Sequence, residues 1–456
     1  MPDQSDTCRV VREVTVAAGR FAPGHLGELT QIVPFEMVDA VLAETGRMQR
    51  RIRILPSRVV IYLLLAGALF AECGYLQVWA RLTSGLDGLV VATPCAAALA
   101  AARRRIGAAP LRALFDLLRG PVAGPATCGV WWHGRLVVAF DGTSMCCADT
   151  PADLAVYCKG GGYHGGTGYP MIRLLALVAC GTRAVLAATF GPTTVGETGY
   201  AVDLLATMGP GMVVLGDRNF AAADLMEAIA ERGADLLIRV KSGRRLPVCA
   251  RCGDGSWLSR IGGVEVRVIC AQITLATTAG RRCETYQLVT TVLDADCPAT
   301  ELVRLYHERW EIETTYAELK QSILSGRVLR ARTPAGIEQE IYALLITYQV
   351  LRIAITDATI GTDLDPDRGS FTVALHAARD QVIKAAGVIA DTVIDLVGAI
   401  GRQVLDHPLP DRRCRTSPRV VKRAISKFAA HTASGRLHGP SYQATIRIDV
   451  LDDPDP

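Results

Sequence analysis

Three acidic residues, far apart in the chain, have types and surroundings suited to holding metal ions: Asp141, Asp217 and Glu313. Asp141 directly follows the apolar run LVVAF and precedes Gly142, which predicts that it ends a buried strand at a turn. Asp217 follows VVLG in the same way. Because ligands gather at the carboxyl ends of strands in α/β sheets, both side chains are expected at one edge of a sheet. Either aspartate alone could be an ordinary turn residue.

The third carboxylate lies in the segment YHERWEIETTYAELK, which runs from Tyr306 to Lys320. Spacings of three and four residues predict that one face of an α-helix carries Tyr306, Arg309, Glu313, Tyr316 and Lys320. An adjoining apolar stripe, expected to pack on the sheet, consists of Leu305, Ile312, Leu319 and Ile323. The alternative for this segment is a solvent-exposed helix face on which Glu313 pairs with Arg309 and Lys320.

Such a group of carboxylates indicates phosphodiester chemistry. Three carboxylates repel one another unless cations offset their charge. Mg²⁺ or Mn²⁺ would do so, because these hard ions prefer oxygen ligands and keep positions open for water and phosphate. Two such ions about 4 Å apart can activate an attacking oxygen and stabilise a leaving one. Arg309 and Lys320 would then hold DNA phosphates near the metals, and Tyr306 would add a hydroxyl.

The elements that position these residues can be read from short strand-like runs. Five of them, in chain order, are RLVVAF, MIRLLALVA, AVLAATF, MVVLG and DLLIRV. Helical patterns separate the last three runs, at about residues 197–207 and 221–232. This order predicts a mixed α/β sheet, and an RNase-H-like core has the same order. A further helix is expected from Pro298 to about Ser322, and another around residues 344–355.

The flanking segments predict additional domains. Residues 1–125 are expected to form a separate N-terminal helical domain that binds DNA ends, and residues 126–345 the catalytic domain, interrupted at about 242–298 by a β-rich insertion. Residues 346–456 are expected to be helical with a basic tail. Between Asp411 and Lys427 that tail carries seven basic residues, which suit phosphate contacts or simply a solvated surface: Arg412, Arg413, Arg415, Arg419, Lys422, Arg423 and Lys427.

The sequence resembles the insertion-sequence-4-type DDE transposases. The resemblance is carried by Asp141 in FDGT, Asp217 in LGDRNF and the YREK signature Y-x2-R-x3-E-x6-K from Tyr306 to Lys320, and it extends from about residue 20 to 430. It implies an α/β fold: an RNase-H-like mixed sheet with a β-rich insertion and an N-terminal helical domain. It also implies that Asp141, Asp217 and Glu313 are the catalytic metal ligands.

The same resemblance implies roles in DNA binding. Tyr306, Arg309 and Lys320 would contact the transposon end, together with Arg218 in LGDRNF. Trp257 of the insertion would stack on a flipped base, and Trp310 is a second candidate. A tryptophan buried in a core is the commoner case for both.

The implied activity is hydrolysis of DNA at the ends of an insertion sequence, followed by attack of the freed 3′-hydroxyl on target DNA. Two Mg²⁺ or Mn²⁺ ions would be the cofactors. The partners would be double-stranded DNA, as terminal inverted repeats and target, and a second copy of the chain in a homodimer. The alternatives are a catalytically silent DNA-binding protein descended from a transposase, and a structure-specific DNA nuclease.

Composition limits the cellular setting. Half of the residues are hydrophobic and the net charge is only +4, so bulk charge does not itself indicate nucleic-acid binding. The cysteines are scattered through a long chain with no secretory segment at its start, which favours reduced thiols. The longest apolar run, residues 59–71, is too short to span a membrane and predicts a buried helix. We therefore expect a cytoplasmic protein without a membrane partner, and the resemblance implies that it is bacterial and nucleoid-associated.

Overall fold

The computed structural model describes residues 24–51, 53–86, 90–160, 168–241, 243–277, 280–386, 398–410 and 445–451, with side chains omitted for 275–282 and 445. The basic tail predicted between Asp411 and Lys427 lies outside the described residues.

Five helices open the described chain: α1 (Phe35–Glu44), α2 (Ser57–Leu69), α3 (Tyr75–Thr83), α4 (Ala96–Ile106) and α5 (Ala109–Leu118). Every residue of α2 except Arg58 is buried. An apolar helix of this kind can only lie at the centre of a core, surrounded by other elements. The buried helix predicted at residues 59–71 is therefore confirmed.

The central sheet is built in the predicted order. Its elements are β1 (Trp131–Trp132), β2 (Arg135–Cys146), α6 (Pro151–Leu154), β3 (Met171–Ala179), β4 (Val185–Pro192), α7 (Glu197–Leu204), β5 (Met212–Gly216), α8 (Ala223–Glu231) and β6 (Asp235–Val240). The strands lie side by side in the order β4-β3-β2-β5-β6. The first three are antiparallel, whereas β2, β5 and β6 are parallel. This is the RNase-H-like mixed α/β sheet that the sequence predicted.

The segment predicted as an insertion is β-rich and prolongs this same sheet. Its strands are β7 (Ala250–Arg251), β8 (Trp257–Ile261), β9 (Val264–Thr277) and β10 (Gly280–Thr290). β10 pairs antiparallel with β6, and β9, β8 and β7 follow outward. β11 (Thr445–Val450) pairs with β9, so that eleven strands of the described chain form one sheet. The insertion is therefore joined to the catalytic strands by backbone hydrogen bonds.

The remaining helices are α9 (Ala299–Tyr306), α10 (Trp310–Ala317), α11 (Pro334–Thr359), α12 (Phe371–Ile383) and α13 (Gly398–Asp406). The predicted continuous helix at about 298–322 is interrupted. A 3₁₀ turn, His307–Arg309, separates α9 from α10, and a π-helical segment, Glu318–Ile323, follows α10. The predicted apolar stripe is nevertheless confirmed, since Leu305, Ile312, Leu319 and Ile323 are all buried.

α11 joins the helical parts of the molecule. It packs against α2, α5, α12 and α13, and their apolar residues share one core with one face of the sheet. A second core lies on the other face, beneath α7 and α8. The helices predicted as an N-terminal domain therefore have their apolar surface covered by α11. By length and composition α11 could cross a membrane, but 78% of its apolar stretch is buried, as in a core helix.

Candidate active site

Asp141 lies inside β2 and not at its end, which corrects the prediction of a turn. The polar residues after it continue the strand because they pair with β3 as far as Cys146 opposite Met171. The parallel pairing of β2 with β5, in contrast, ends at Ala139 opposite Leu215. β2 therefore has an open edge from Asp141 onward, on the side of β5. We call this open edge the β2 notch.

Asp217 follows β5 directly and lies beside the β2 notch. Its position at a strand end is confirmed. The carboxylate caps a short 3₁₀ turn, Arg218–Phe220, by accepting a hydrogen bond from the backbone N–H of Asn219 at 2.8 Å. Phe220 anchors this turn in the core, with its ring centroid 4.3 Å from that of Phe140. Arg218 on the same turn is exposed to solvent.

α10 brings Glu313 to the same place, together with a guanidinium. Nη2 of Arg309 lies 3.0 Å from Oε1 of Glu313, and Nη1 of Arg309 lies 3.7 Å from Oδ2 of Asp141. An exposed helix face would also show the ion pair of Arg309 with Glu313. Here Arg309 contacts a carboxylate on the sheet as well. One cation is shared by two acidic groups that come from different elements.

Two further residues of the predicted helix face reach β2. The Tyr316 hydroxyl donates to the backbone carbonyl of Asp141 and accepts from the N–H of Ala176 on β3. Nζ of Lys320 donates to Oγ1 of Thr143 at 3.1 Å. Lys320 reaches Thr143 from the π-helical segment, whose wider turns redirect side chains. The helical segment is therefore fixed to the strand by two residues that follow Glu313.

Asp141 is a buried carboxylate with more negative than positive charge around it. The pKa of Asp141 is raised to about 7, chiefly by burial and in smaller part by the nearby carboxylates of Asp217 and Glu197. The N–H of Gly142, 2.8 Å from Oδ1, and the charge of Arg309 act in the opposite direction. Burial also lowers the pKa of Lys320. A cation added at this point would stabilise the ionised carboxylates.

Glu197, the first residue of α7, belongs to this acidic group and was missed in the sequence. A Cβ placed on Gly142 would lie only 2.6 Å from Oε1 of Glu197, so the glycine makes room for the carboxylate. Nδ2 of Asn219 donates to Oε2 of Glu197 at 3.4 Å, which links it to the turn after Asp217. The one signal in the sequence was that a helix beginning after β4 starts at this edge of the sheet.

The aromatic candidates differ in accessibility. Trp257 is only 4% exposed, because its position on β8 points into the core, and this buried side chain cannot stack on a base. The DNA-binding role predicted for Trp257 is therefore wrong for this conformation. Trp310 is 48% exposed, with the guanidinium carbon of Arg309 5.5 Å from its ring. Tyr306 is largely buried beside Tyr286, and burial raises its pKa to about 12.

The residues present fit divalent cations by donor type and by charge. Asp141, Asp217, Glu313 and Glu197 offer the carboxylate oxygens that Mg²⁺ and Mn²⁺ prefer. The positively charged guanidinium of Arg309 lies between two of these carboxylates, as a metal ion would. Within the described part of the chain, no three His, Cys, Asp or Glu side chains lie close enough together to hold a metal ion. A metal ion between Asp141 and Glu313 would take the place that the Arg309 guanidinium occupies in this structure.

Comparisons with known proteins agree with this fold. Residues 23–116 match the family described as "Insertion element 4 transposase N-terminal", and residues 132–350 match "Transposase DDE domain". "Transposase InsG for insertion sequence element IS4" of Escherichia coli (strain K12) is 27% identical over 414 residues, covering 86% of this chain and 91% of the relative. "Putative transposase InsZ" of the same organism is 28% identical over 208 residues, 44% of this chain and 67% of the relative.

Among solved structures, a piggyBac transposase synaptic complex with hairpin DNA aligns with 92% of this chain and 90% of its own, at a TM-score of 0.44 and 11% identity. The adjoining family matches define the protein as a DDE transposase. More narrowly, the chain belongs to the insertion-sequence-4 type, the transposases of bacterial insertion sequences. It is a metal-dependent enzyme that cleaves and transfers DNA.

Proposed function

We propose that Asp141, Asp217 and Glu313 hold two divalent cations, Mg²⁺ or Mn²⁺, at the β2 notch. There the enzyme would cleave the ends of its own element and join them to target DNA. The observation that carries this proposal is the shared guanidinium, because Arg309 lies within 4 Å of carboxylates from both β2 and α10. The two carboxylates already bind the positively charged Arg309. They therefore offer the negative charge and the oxygen donors that a divalent metal ion needs.

The bound cations would supply a more acidic water or hydroxyl and charge stabilisation for the leaving oxygen. The chain's own residues set the geometry for this. Tyr316 bonds to both β2 and β3, and so fixes the distance between Glu313 and Asp141. Arg309, displaced from the carboxylates, can turn to a DNA phosphate, for which a guanidinium offers paired donors.

The DNA-binding surface would surround this notch. Arg218 is exposed beside Asp217, and Lys320 lies beside Thr143, so both can reach phosphates on either side of the metal site. Tyr306 would contact the transposon end after local opening, since its ring is buried in this conformation. Residues 1–125 would bind the terminal inverted repeats, residues 126–345 would cleave, and the basic tail of 346–456 would contact the backbone.

Two copies of the chain would act together, one on each end of the element, as a homodimer in the bacterial cytoplasm at the nucleoid. The test is to incubate the purified protein with the DNA flanking its own gene, with and without Mg²⁺ or Mn²⁺, and to map breaks to the base. We expect metal-dependent cuts at defined ends that are lost in Glu313→Gln. Binding without cutting would favour the silent DNA-binding protein, and cuts without end preference would favour the nuclease.

A further inference from the structure

Glu197 approaches the β2 notch from the opposite face of the sheet to α10. Val137 and Ala139 pack in the core shared with α11, whereas Val138 and Phe140 pack beneath α7 and α8. By this alternation the side chain of Asp141 points towards α10, and position 142 points towards α7. Glu197 lies over position 142, where the absent side chain of glycine leaves space for it.

At the β2 notch the two faces of the sheet are open to each other. β5 no longer pairs with β2 beyond Ala139, so no strand separates Glu197 from the Asp141 side at this edge. Asn219 connects the two acidic groups, because its N–H bonds to Asp217 at 2.8 Å and its side-chain amide donates to Glu197 at 3.4 Å.

Glu197 is only loosely held by its present neighbours. Nε of Arg173 lies 3.9 Å from Oε1, beyond hydrogen-bonding distance, and the bond from Asn219 is long. A glutamate that served only to stabilise the fold would be expected to make shorter bonds, such as those of the buried Glu318. Its side chain is 26% exposed, so it can reorient without leaving a packed core.

We propose that Glu197 is a fourth carboxylate of the metal site, binding a divalent cation together with Asp217 at the β2 notch. This rests on the proposed function, since it adds a ligand to the site described there. The cation would be held from α7, the turn after β5, β2 and α10. Gly142 is then part of the site, because any side chain there would displace Glu197.

The experiment measures Mn²⁺ binding to the full-length protein without DNA, by the loss of the paramagnetic resonance signal of free Mn²⁺. Glu197→Gln keeps the size of the side chain and removes its charge. We expect it to weaken Mn²⁺ binding at least about tenfold, the smaller end of the loss seen when even an indirect metal partner is removed. Gly142→Ala should weaken binding as well, by displacing the carboxylate that Glu197→Gln neutralises.

Two controls separate ligation from a structural role. Asp203→Asn removes an exposed carboxylate of the same helix, bonded to Thr189 at 3.0 Å, and should leave Mn²⁺ binding unchanged. Arg173→Gln removes the arginine beside Glu197 but leaves the negative charge of Glu197 in place, so it should not weaken Mn²⁺ binding. If Arg173→Gln and Glu197→Gln weakened binding equally, Glu197 would be a positioning residue and the proposal would fail.

The outcomes also separate this inference from the proposed function. Unchanged Mn²⁺ binding in Glu197→Gln, with binding reduced in Glu313→Gln, would overturn the fourth carboxylate and leave the three-carboxylate site intact. Wild-type protein that neither binds Mn²⁺ nor cuts its flanking DNA would overturn both.

Discussion

Two clusters of arginines and carboxylates lie on opposite sides of α10. The buried ion cluster, behind the helix, consists of Arg183, Arg352, Glu311 and Glu318, whose side chains are between 0% and 11% exposed. The open cluster, in front of it, consists of Arg309, Asp141 and Glu313, with side chains between 12% and 28% exposed. Both clusters contain the same chemical groups, and both join the helix region to the sheet.

The two clusters differ in whether their charged side chains can exchange binding partners. Glu318 in the buried cluster receives hydrogen bonds from Arg352 and from the Tyr348 hydroxyl, and it lies 3.5 Å from Arg183. Removing any member would leave a charge away from water, so the cluster holds its arrangement. The side chains of the open cluster reach solvent, and under the proposed function water, phosphate or a metal ion would replace Arg309. Burial therefore makes one cluster an anchor for the helix and leaves the other able to bind ligands.

The largest effect is expected from Glu313→Gln in the open cluster. Cleavage of end DNA should fall to the background level, because the proposed function makes Glu313 a metal ligand. The free energy of unfolding should change by less than about 1 kcal/mol, since partly exposed ion pairs contribute little. End cleavage and urea denaturation of the same preparation test this. Retained cleavage would remove Glu313 from the metal site.

Glu318→Gln in the buried cluster should have the opposite pattern. It would leave Arg183 and Arg352 close together with one carboxylate fewer, and should lower the free energy of unfolding by about 3–5 kcal/mol. Lys159→Gln, which removes an exposed pair with Asp149, should change it by less than about 1 kcal/mol. Urea denaturation distinguishes the two. Equal, small changes would show that burial does not separate the clusters.

Arg309→Met should strengthen Mn²⁺ binding to the DNA-free protein by about tenfold, equivalent to about 1.4 kcal/mol, because it removes the competing cation. Arg183→Met removes an arginine of the buried cluster and should leave Mn²⁺ affinity unchanged in the folded protein. Calorimetric titration of both variants checks this. Weaker Mn²⁺ binding in Arg309→Met would mean that the arginine helps to assemble the site.

The smallest effect is expected from Lys320→Gln. Its loss should weaken binding of the element's end DNA a few-fold and reduce the slope of log affinity against log salt by about one, as for a single phosphate contact. Fluorescence anisotropy across a salt series measures the slope. An unchanged slope would show that Lys320 serves only to bond Thr143.

The sequence predicted those parts of the fold that depend on local apolar patterns. β3, β5, β6 and α7 lie where their runs placed them, since each run packs on a core. The length of β2 was not predictable, because the residues after Asp141 become a strand only by pairing with β3. Trp257 was misjudged for a similar reason: its inward orientation depends on its pairing with Val268.

For the site, the regular spacing on one helix predicted that Arg309, Glu313, Tyr316 and Lys320 face the same way, and all four lie against one another or the strands around the notch. Glu197 has no such spacing to any other carboxylate. Its approach to Gly142 depends on how α7 packs over the sheet, which no local pattern records. The buried ion cluster likewise depends on distant residues, since Arg183 and Glu311 are 128 positions apart.

The central position of α11 has a consequence for how such a protein can be divided or recombined. Gln349 on α11 is fully buried; its amide donates to the carbonyl of Leu118 at the end of α5, and its oxygen accepts from the N–H of Val185 on β4. A fragment that stopped before α11 would expose the apolar sides of α2 and α5 to water. Helices α1 to α5 and the catalytic sheet are therefore not exchangeable modules. A chimaera between relatives would need α1 to α5 and α11 from the same parent.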